Sequence, residues 1–279
     1  MDQGKELIRL ALFGRPIKSS LSPFIHRMFA HQFELNIEYE LIETGPEDFA
    51  DRLEAFRRDG GIGCNITLPL KRDAWRLAAD ETLQVSLAHA ANTLVYHVSQ
   101  GWFAHNTDGH GLVIDLTVNH HLNLKDQRIL VLGAGGAVAG ILGSLLADDP
   151  HEVVLVNRNQ ERANDLAKRF SSMGRVSITD WKGLPNQGQF DLLINATSLG
   201  HHGEAPPLEP SAFAPGSVCY DLNYHKASQP LKERCEEIQQ SYIDGMGMLV
   251  EQAARSFQIW TGKQPDTGVV IAACKQGVD

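Results

Sequence analysis

Cysteine is scarce. Four residues in 279, at positions 64, 219, 235 and 274, form no Cys-x-x-Cys pair and show no metal spacing. That excludes a disulfide or zinc framework and reads as reduced thiols of a cytoplasmic protein. Positive charge is also short: Lys and Arg total 25 against 34 Asp and Glu, a net charge of −9. Such a balance speaks against a nucleic-acid binder, and any anionic ligand must be met by local donors. Long apolar runs are nearly missing. The stretch Ile129 to Ala147 is uncharged, but it carries five glycines, at 133, 135, 136, 140 and 143. It reads as strand, glycine turn and buried helix, not as a membrane span. Met1 to Glu6 is polar and Leu7 to Phe13 is broken by Arg9, so no secretory leader is expected. There is no internal repeat and no low-complexity tract. Twelve histidines include the adjacent pairs His120-His121 and His201-His202. Adjacent side chains cannot share one face, and no carboxylate or cysteine stands at ligand spacing, so no metal site is expected.

What is present points to an α/β chain of two domains, at roughly 150 residues each. Apolar residues make up 43% of the chain, enough for a core without staples. Leu7 to Phe13 reads as a strand, and Ser22-Pro23 opens a helix with Ser22 as cap and an apolar stripe of Phe24, Ile25, Met28, Phe29 and Phe33. Ile37, Tyr39 and Leu41 alternate with glutamates as a second strand. Pro46 starts a helix carrying Phe49, Leu53 and Phe56, Gly60-Gly61 ends it, and Ile62 to Ile66 is a third strand. This β-α-β-α-β order predicts a mainly parallel sheet. A hairpin follows over Thr93 to His97 and Trp102 to Ala104, then a helix from about Gly109 to Asn119 behind Asn106-Thr107-Asp108. A second β-α-β series begins at Ile129, with strands Val153 to Val156, Leu192 to Asn195 and Val218 to Tyr220, and Met246 to Thr261 forms a long terminal helix. Residues 1–106 with 246–279 are therefore expected as a substrate-binding catalytic domain. Residues 107–245 are expected as a Rossmann-type domain, with a deep cleft between the two.

Gly133-Ala134-Gly135-Gly136-Ala137 follows a strand and opens a helix. Glycine lets the turn tighten and lets backbone N–H groups approach a pyrophosphate at the positive helix end. Val138 stands where a third glycine would complete the dinucleotide fingerprint, so a glycine turn serving helix packing alone stays open. The next strand ends in Asn157-Arg158 with no carboxylate for ribose hydroxyls. Arg158, with Arg162 one helical turn on, offers a charged fork for a 2′-phosphate. NADP is therefore expected, with NAD as the alternative. Ser20 and Ser22 flank a helix start and suit either a substrate carboxylate or an ordinary cap. Asn65 to Lys71 leaves a strand at its carboxyl end with an amide, two hydroxyl- or ammonium-bearing neighbours in Thr67 and Lys71, and a proline. Asn92-Thr93 and Asn106-Thr107-Asp108 add short polar groups of the kind a polyhydroxylated ring requires.

In their joint order these motifs resemble the shikimate dehydrogenase family over nearly the whole chain. Gly14-Arg15-Pro16-Ile17 with Ser20, Ser22-Pro23 and His26 is similar to its first signature, and Asn65 to Lys71 to its Asn-(Val/Ile)-Thr-x-Pro-x-Lys segment. Ala91-Asn92-Thr93, Asn106 to Gly109, Gly133 to Ala137, Asn157-Arg158, Asn195 to Ser198, Asp221 with Tyr224, and Asp244-Gly245 through Gln252-Ala253 complete the series. The resemblance implies NADP-dependent, reversible reduction of 3-dehydroshikimate to shikimate, a step toward chorismate and the aromatic amino acids. It implies Lys71 and Asp108 as the catalytic pair, and Ser20 and Ser22 on the carboxylate. Asn65, Thr67, Asn92, Tyr224 and Gln252 would stand around the substrate, and Leu222 and Gly245 beside the cofactor. A monomer or homodimer acting on a small molecule is expected. Four positions depart from the family pattern: Ser19, Arg27, Asn159 and the pair His225-Lys226. They leave a quinate or aminoshikimate dehydrogenase open, and beside it a non-catalytic sensor of NADP or a shikimate-like acid.

Overall fold

The computed structural model describes residues 6–277; the polar start at 1–5 lies outside them. The chain divides into two compact units. One runs to Gly111 and resumes at Leu249, and the other is Leu112–Met248.

The first unit opens with β1 (Ile8–Gly14), α1 (Ser22–Gln32), β2 (Ile37–Glu43), α2 (Phe49–Arg58) and β3 (Gly61–Ile66). It continues through α3 (Lys71–Leu77), β4 (Asp80–Glu81), α4 (Leu83–Ala88), β5 (Thr93–His97) and β6 (Gly101–His105). The sheet order is β2-β1-β3-β5-β6-β4. β1 pairs in parallel with β2 and β3, and β5 is antiparallel to β3 and β6. Leu10 to Phe13 is a continuous apolar run because β1 is central and covered on both faces. Phe13 meets Phe49 and Phe56 of α2 edge-on, each with ring centroids 5.7 Å apart. Two expected helix starts are corrected. Leu21 takes the cap position of α1 and Ser22 is its first residue, with no side-chain cap bond. Pro46 to Asp48 form a turn, and α2 begins at Phe49.

The second unit is entered through α5 (Asp108–Ile114), which ends in one π-helical turn at Asp115–Asn119. It comprises β7 (Arg128–Leu132), α6 (Gly136–Ala147), β8 (Glu152–Val156), α7 (Gln160–Phe170), β9 (Val176–Thr179), β10 (Phe190–Asn195), β11 (Phe213–Asp221), α8 (Gln229–Glu237) and β12 (Ser241–Ile243). α9 (Met246–Thr261) returns to the first unit, which α10 (Gly268–Gln276) completes. The order β12-β11-β10-β7-β8-β9 is parallel throughout. The chain runs outward from β7 to β9, then restarts on the other side at β10. That reversal opens a crevice at the carboxyl ends of β7 and β10, where open parallel sheets bind ligands. The glycine-rich run is strand, turn and buried helix. Among the described residues no helix is long and apolar enough to cross a membrane.

Candidate active site

Lys71 is the first residue of α3, so the connection from β3 spans only 67–70. Its Nζ donates to Asp108 Oδ2 in a close ion pair, the two side chains 16% and 9% exposed. The other oxygen of Asp108 accepts from Asn92 Nδ2 at 2.8 Å. Asn92 Nδ2 also lies 2.8 Å from Thr107 Oγ1 and 3.2 Å from Gln252 Oε1, and Asn92 Oδ1 accepts from the Thr107 N–H at 2.8 Å. Lys71, Asn92, Thr107, Asp108 and Gln252 thus form one hydrogen-bonded group, although they come from α3, the head of β5, α5 and α9. A mostly desolvated pair of this kind contributes little net stability; its value is an ammonium held in one place by a fixed carboxylate.

A second group surrounds Asn65 at the end of β3. Its Nδ2 faces the carbonyl of Asn92 at 3.3 Å, Thr93 Oγ1 at 3.2 Å and Ser256 Oγ at 3.0 Å. Its Oδ1 accepts from Tyr39 Oη at 2.8 Å and lies 3.2 Å from His26 Nε2. Ser20 Oγ donates to Ser22 Oγ and accepts from the Ser22 N–H, both at 3.2 Å, so the two serines are brought together. Thr67, two residues after Asn65, is half-buried, its N–H bonded to the Phe13 carbonyl at 2.9 Å. Burial lowers the His26 imidazole to about 3, against the hydrogen bond of Asn65, and burial pushes the Tyr39 phenol well above its usual range. Sequence reasoning missed Tyr39 and Ser256. Ser256 carried a usable signal, standing four residues after Gln252 on the same helix face. Tyr39 carried none beyond strand alternation. Tyr224 belongs to the second unit, where its ring meets that of His225 edge-on at 5.4 Å.

In the second unit a groove of about 400 Å³ is lined by Gly133, Ala134, Gly135, Asn157 and Arg158, with Thr197 and Ser198 opposite. Gly133 has φ +118, and an added Cβ would stand 3.2 Å from the Ala196 carbonyl. At Gly135 and Gly136 an added Cβ would meet nothing within 4 Å, so the start of α6 is bare backbone facing open space. Ala137 lies in the first turn of α6. Arg158 and Arg162 are exposed and enter no ion pair among the described residues; Arg162 stands outside the groove lining, in the first turn of α7 capped by Asn159. Leu222 and Gly245 lie against each other: the Gly245 N–H donates to the Asn223 carbonyl at 2.9 Å, and a Cβ on Gly245 would sit 2.4 Å from the Leu222 carbonyl. Burial raises Asp221 to about 6, against hydrogen bonds from Asn223 and Asn195. A tight glycine turn, an open helix start and the Arg158 guanidinium fit a dinucleotide with an additional phosphate. Among the described residues no three His, Cys, Asp or Glu side chains gather as a metal-holding group.

Fold and site define an α/β chain with a glycine-turn groove that suits a dinucleotide in one unit and a largely buried lysine–aspartate pair among polar donors in the other. Three family profiles match it: the shikimate dehydrogenase substrate binding domain over residues 12–94, shikimate / quinate 5-dehydrogenase over 115–202, and the shikimate 5'-dehydrogenase C-terminal domain over 245–275. The chain belongs to the shikimate dehydrogenase family. It is 45% identical to the shikimate dehydrogenase (NADP(+)) of Alkalilimnicola ehrlichii, covering 96% of this chain and 98% of that one. With its counterpart in Psychromonas ingrahamii it shares 42% over 94% and 95%. Among solved structures, the Ael1 enzyme from Pseudomonas putida superposes with a TM-score of 0.88 at 38% identity, covering 95% and 97%. The shikimate 5-dehydrogenase of Thermus thermophilus, in complex with NADP(H) and shikimate, does so at 0.83 and 29%, covering 97% and 100%.

Proposed function

We propose that the protein is an NADP-dependent shikimate dehydrogenase, reducing the 3-keto group of 3-dehydroshikimate reversibly to shikimate. The observation that carries this reading is the Lys71–Asp108 pair, held by Asn92 and Gln252 among donors suited to a hydroxylated ring. In this reading the unit that ends at Gly111 and resumes at Leu249 binds the substrate, and Leu112–Met248 binds the cofactor. NADPH supplies the hydride. Addition to a ketone leaves negative charge on oxygen, and the Lys71 ammonium stabilises that charge and delivers the proton. Asp108 keeps the ammonium aimed. In the reverse direction Lys71 receives the hydroxyl proton. Ser20 and Ser22 take the carboxylate; Asn65, Thr67, Asn92, Tyr224 and Gln252 surround the ring. Gly133, Ala134, Gly135, Gly136 and Ala137 receive the pyrophosphate, Asn157, Arg158 and Arg162 the 2′-phosphate side, and Leu222 and Gly245 flank the nicotinamide end. The relatives named as NADP(+) enzymes support the same cofactor. Four unpaired, buried cysteines support a cytoplasmic setting.

The test is turnover with shikimate and quinate, each with NADP and NAD. Shikimate with NADP should be fastest. Faster quinate turnover would move the reading to a quinate dehydrogenase, faster turnover with NAD would overturn the cofactor assignment, and binding of shikimate without any reduction of NADP would make the protein a sensor.

A further inference from the structure

Asp221 is fully buried at the end of β11, and one of its oxygens carries three hydrogen bonds. Oδ1 accepts from Asn195 Nδ2 at 2.9 Å, from the Asn223 N–H at 3.0 Å and from Asn223 Nδ2 at 2.8 Å. Both asparagines pass the contact on to Thr197. Asn195 Oδ1 accepts from the Thr197 N–H at 3.1 Å and from Thr197 Oγ1 at 2.7 Å. Asn223 Nδ2 gives its second proton to the Thr197 carbonyl at 3.2 Å. A main-chain N–H can only donate and a carbonyl can only accept, so neither amide can be turned round. Thr197 lies past the end of β10, outside the sheet ladder. Its N–H and its C=O are thus both held by side chains that converge on a single carboxylate oxygen.

Thr197 lines the groove opposite the glycine turn. The sheet order runs β8, β7, β10, with Arg158 past the end of β8, Gly133 past the end of β7 and Thr197 past the end of β10. With a 2′-phosphate on Arg158 and the pyrophosphate at the glycine turn, the rest of a dinucleotide runs toward Thr197. We infer that Asp221 is a positioning residue for the cofactor: through Asn195 and Asn223 it fixes the main chain of Thr197, and with it the wall that receives the half of NADP beyond the pyrophosphate. The inference rests on the reading of this groove as the NADP site. Without the carboxylate, Asn195 loses one hydrogen bond and Asn223 two, and Thr197 is free to move. Binding must then reorder it, so apparent affinity falls by the fraction of molecules in which the wall is in place. A fragment that stops at the glycine turn never reaches Thr197 and is indifferent to its order.

The experiment compares NADP with adenosine 2′,5′-bisphosphate, which carries the 2′-phosphate but ends at the 5′-phosphate, in the wild type, Asp221→Ala and Asp221→Asn. Calorimetry gives Kd for both ligands, and oxidation of shikimate gives kcat and KM. Asp221→Ala should raise Kd and KM for NADP roughly tenfold, the scale of buried donors left unpaired. Kd for the bisphosphate, KM for shikimate and kcat should stay within about twofold. Asp221→Asn should stay within about threefold of the wild type for NADP, because an amide oxygen still accepts from Asn195 and Asn223. Its nitrogen can donate to Tyr242 Oη, which lies 3.4 Å from Asp221 Oδ2 and can give its own proton to the Ser228 carbonyl at 3.2 Å. Asn223→Ala keeps the backbone bonds of that residue and removes its side-chain bonds to Asp221 and Thr197. It should raise Kd for NADP and spare the bisphosphate in the same way, and it carries the test if Asp221→Ala does not fold. Equal weakening of NADP and the bisphosphate, an unchanged Kd for NADP, a penalty from Asp221→Asn as large as that from Asp221→Ala, or a loss confined to kcat would each overturn the positioning role while leaving the proposed activity standing. A wild type that binds neither NADP nor the bisphosphate would overturn the cofactor reading and the inference with it.

Discussion

Acid should weaken the first unit through one side chain, His26. The ring is fully buried, with Tyr39 at 4.5 Å, Trp260 at 5.4 Å, Phe29 at 5.9 Å and Phe257 at 6.2 Å between centroids. Its one polar contact is Asn65. Burial holds the folded-state value at about 3, against 6.5 for an exposed imidazole. Between those values the unfolded chain binds a proton that the folded chain refuses, so stability falls as pH falls through that window. Going from about pH 7 to about pH 5 crosses roughly 1.5 units below the exposed value, and at about 1.4 kcal/mol per unit the loss is about 2 kcal/mol. Other groups titrate over the same range, so the informative quantity is a difference. Amide hydrogen exchange in α1 and β2, measured at both pH values in the wild type and in His26→Phe, should show the wild type losing about 2 kcal/mol more than the variant. A difference that stays constant within about 0.5 kcal/mol would refute the reasoning, and would mean that the surrounding rings stabilise an imidazolium about as well as water does.

Three further outcomes are expected. Lys71→Ala should lower turnover in both directions by roughly 10²–10⁴-fold, the range of a positioned acid–base group; steady-state kinetics near the wild-type rate would remove Lys71 from the chemistry. Arg158→Ala should raise KM for NADP by about tenfold or more while barely changing that for NAD; equal effects on the two cofactors would reject contact with a 2′-phosphate. In the second unit the pH slope has the opposite sign. Asp221 sits at about 6 when folded against 3.8 when exposed, so the folded chain holds its proton more tightly and stability is lost as pH rises from about 4 to about 6, by roughly 3 kcal/mol. Asp221→Asn should flatten that slope in hydrogen exchange of β10 and β11, and an unchanged slope would assign it to another group.

Much of the architecture was legible where a pattern repeats over enough residues to outweigh local exceptions. The helix expected over Met246 to Thr261 occupies those residues, because its apolar face recurs for four turns, but it is not the terminal one: the shorter α10 follows it. β7, the glycine turn and α6 were legible because strand, turn and buried helix follow one another without a charge. Short elements were not. α3 begins at Lys71, two residues after Pro69, in a segment whose motif spacing suggests a loop. β9 is half-buried over most of its four residues, and β12 has three residues of which none is buried, so neither carries a full apolar alternation. Ser22 shows the limit most sharply. Ser-Pro before an apolar stripe is a sound cap signal, yet this hydroxyl accepts from Ser20 and makes no cap bond to the helix N–H groups. The polar group around Asn65 shows the same limit. Tyr39 comes from β2 and Asn65 from β3, 26 residues apart, and Ser256, which fixes the other side of the Asn65 amide, is 191 residues from it. Local spacing can mark which side chains are polar and stand at strand ends. It cannot say which of them hydrogen-bond to one another, because that depends on partners brought together only by the folded sheet. The arrangement of Tyr39 and Ser256 about the Asn65 amide therefore follows from tertiary placement and not from any local spacing.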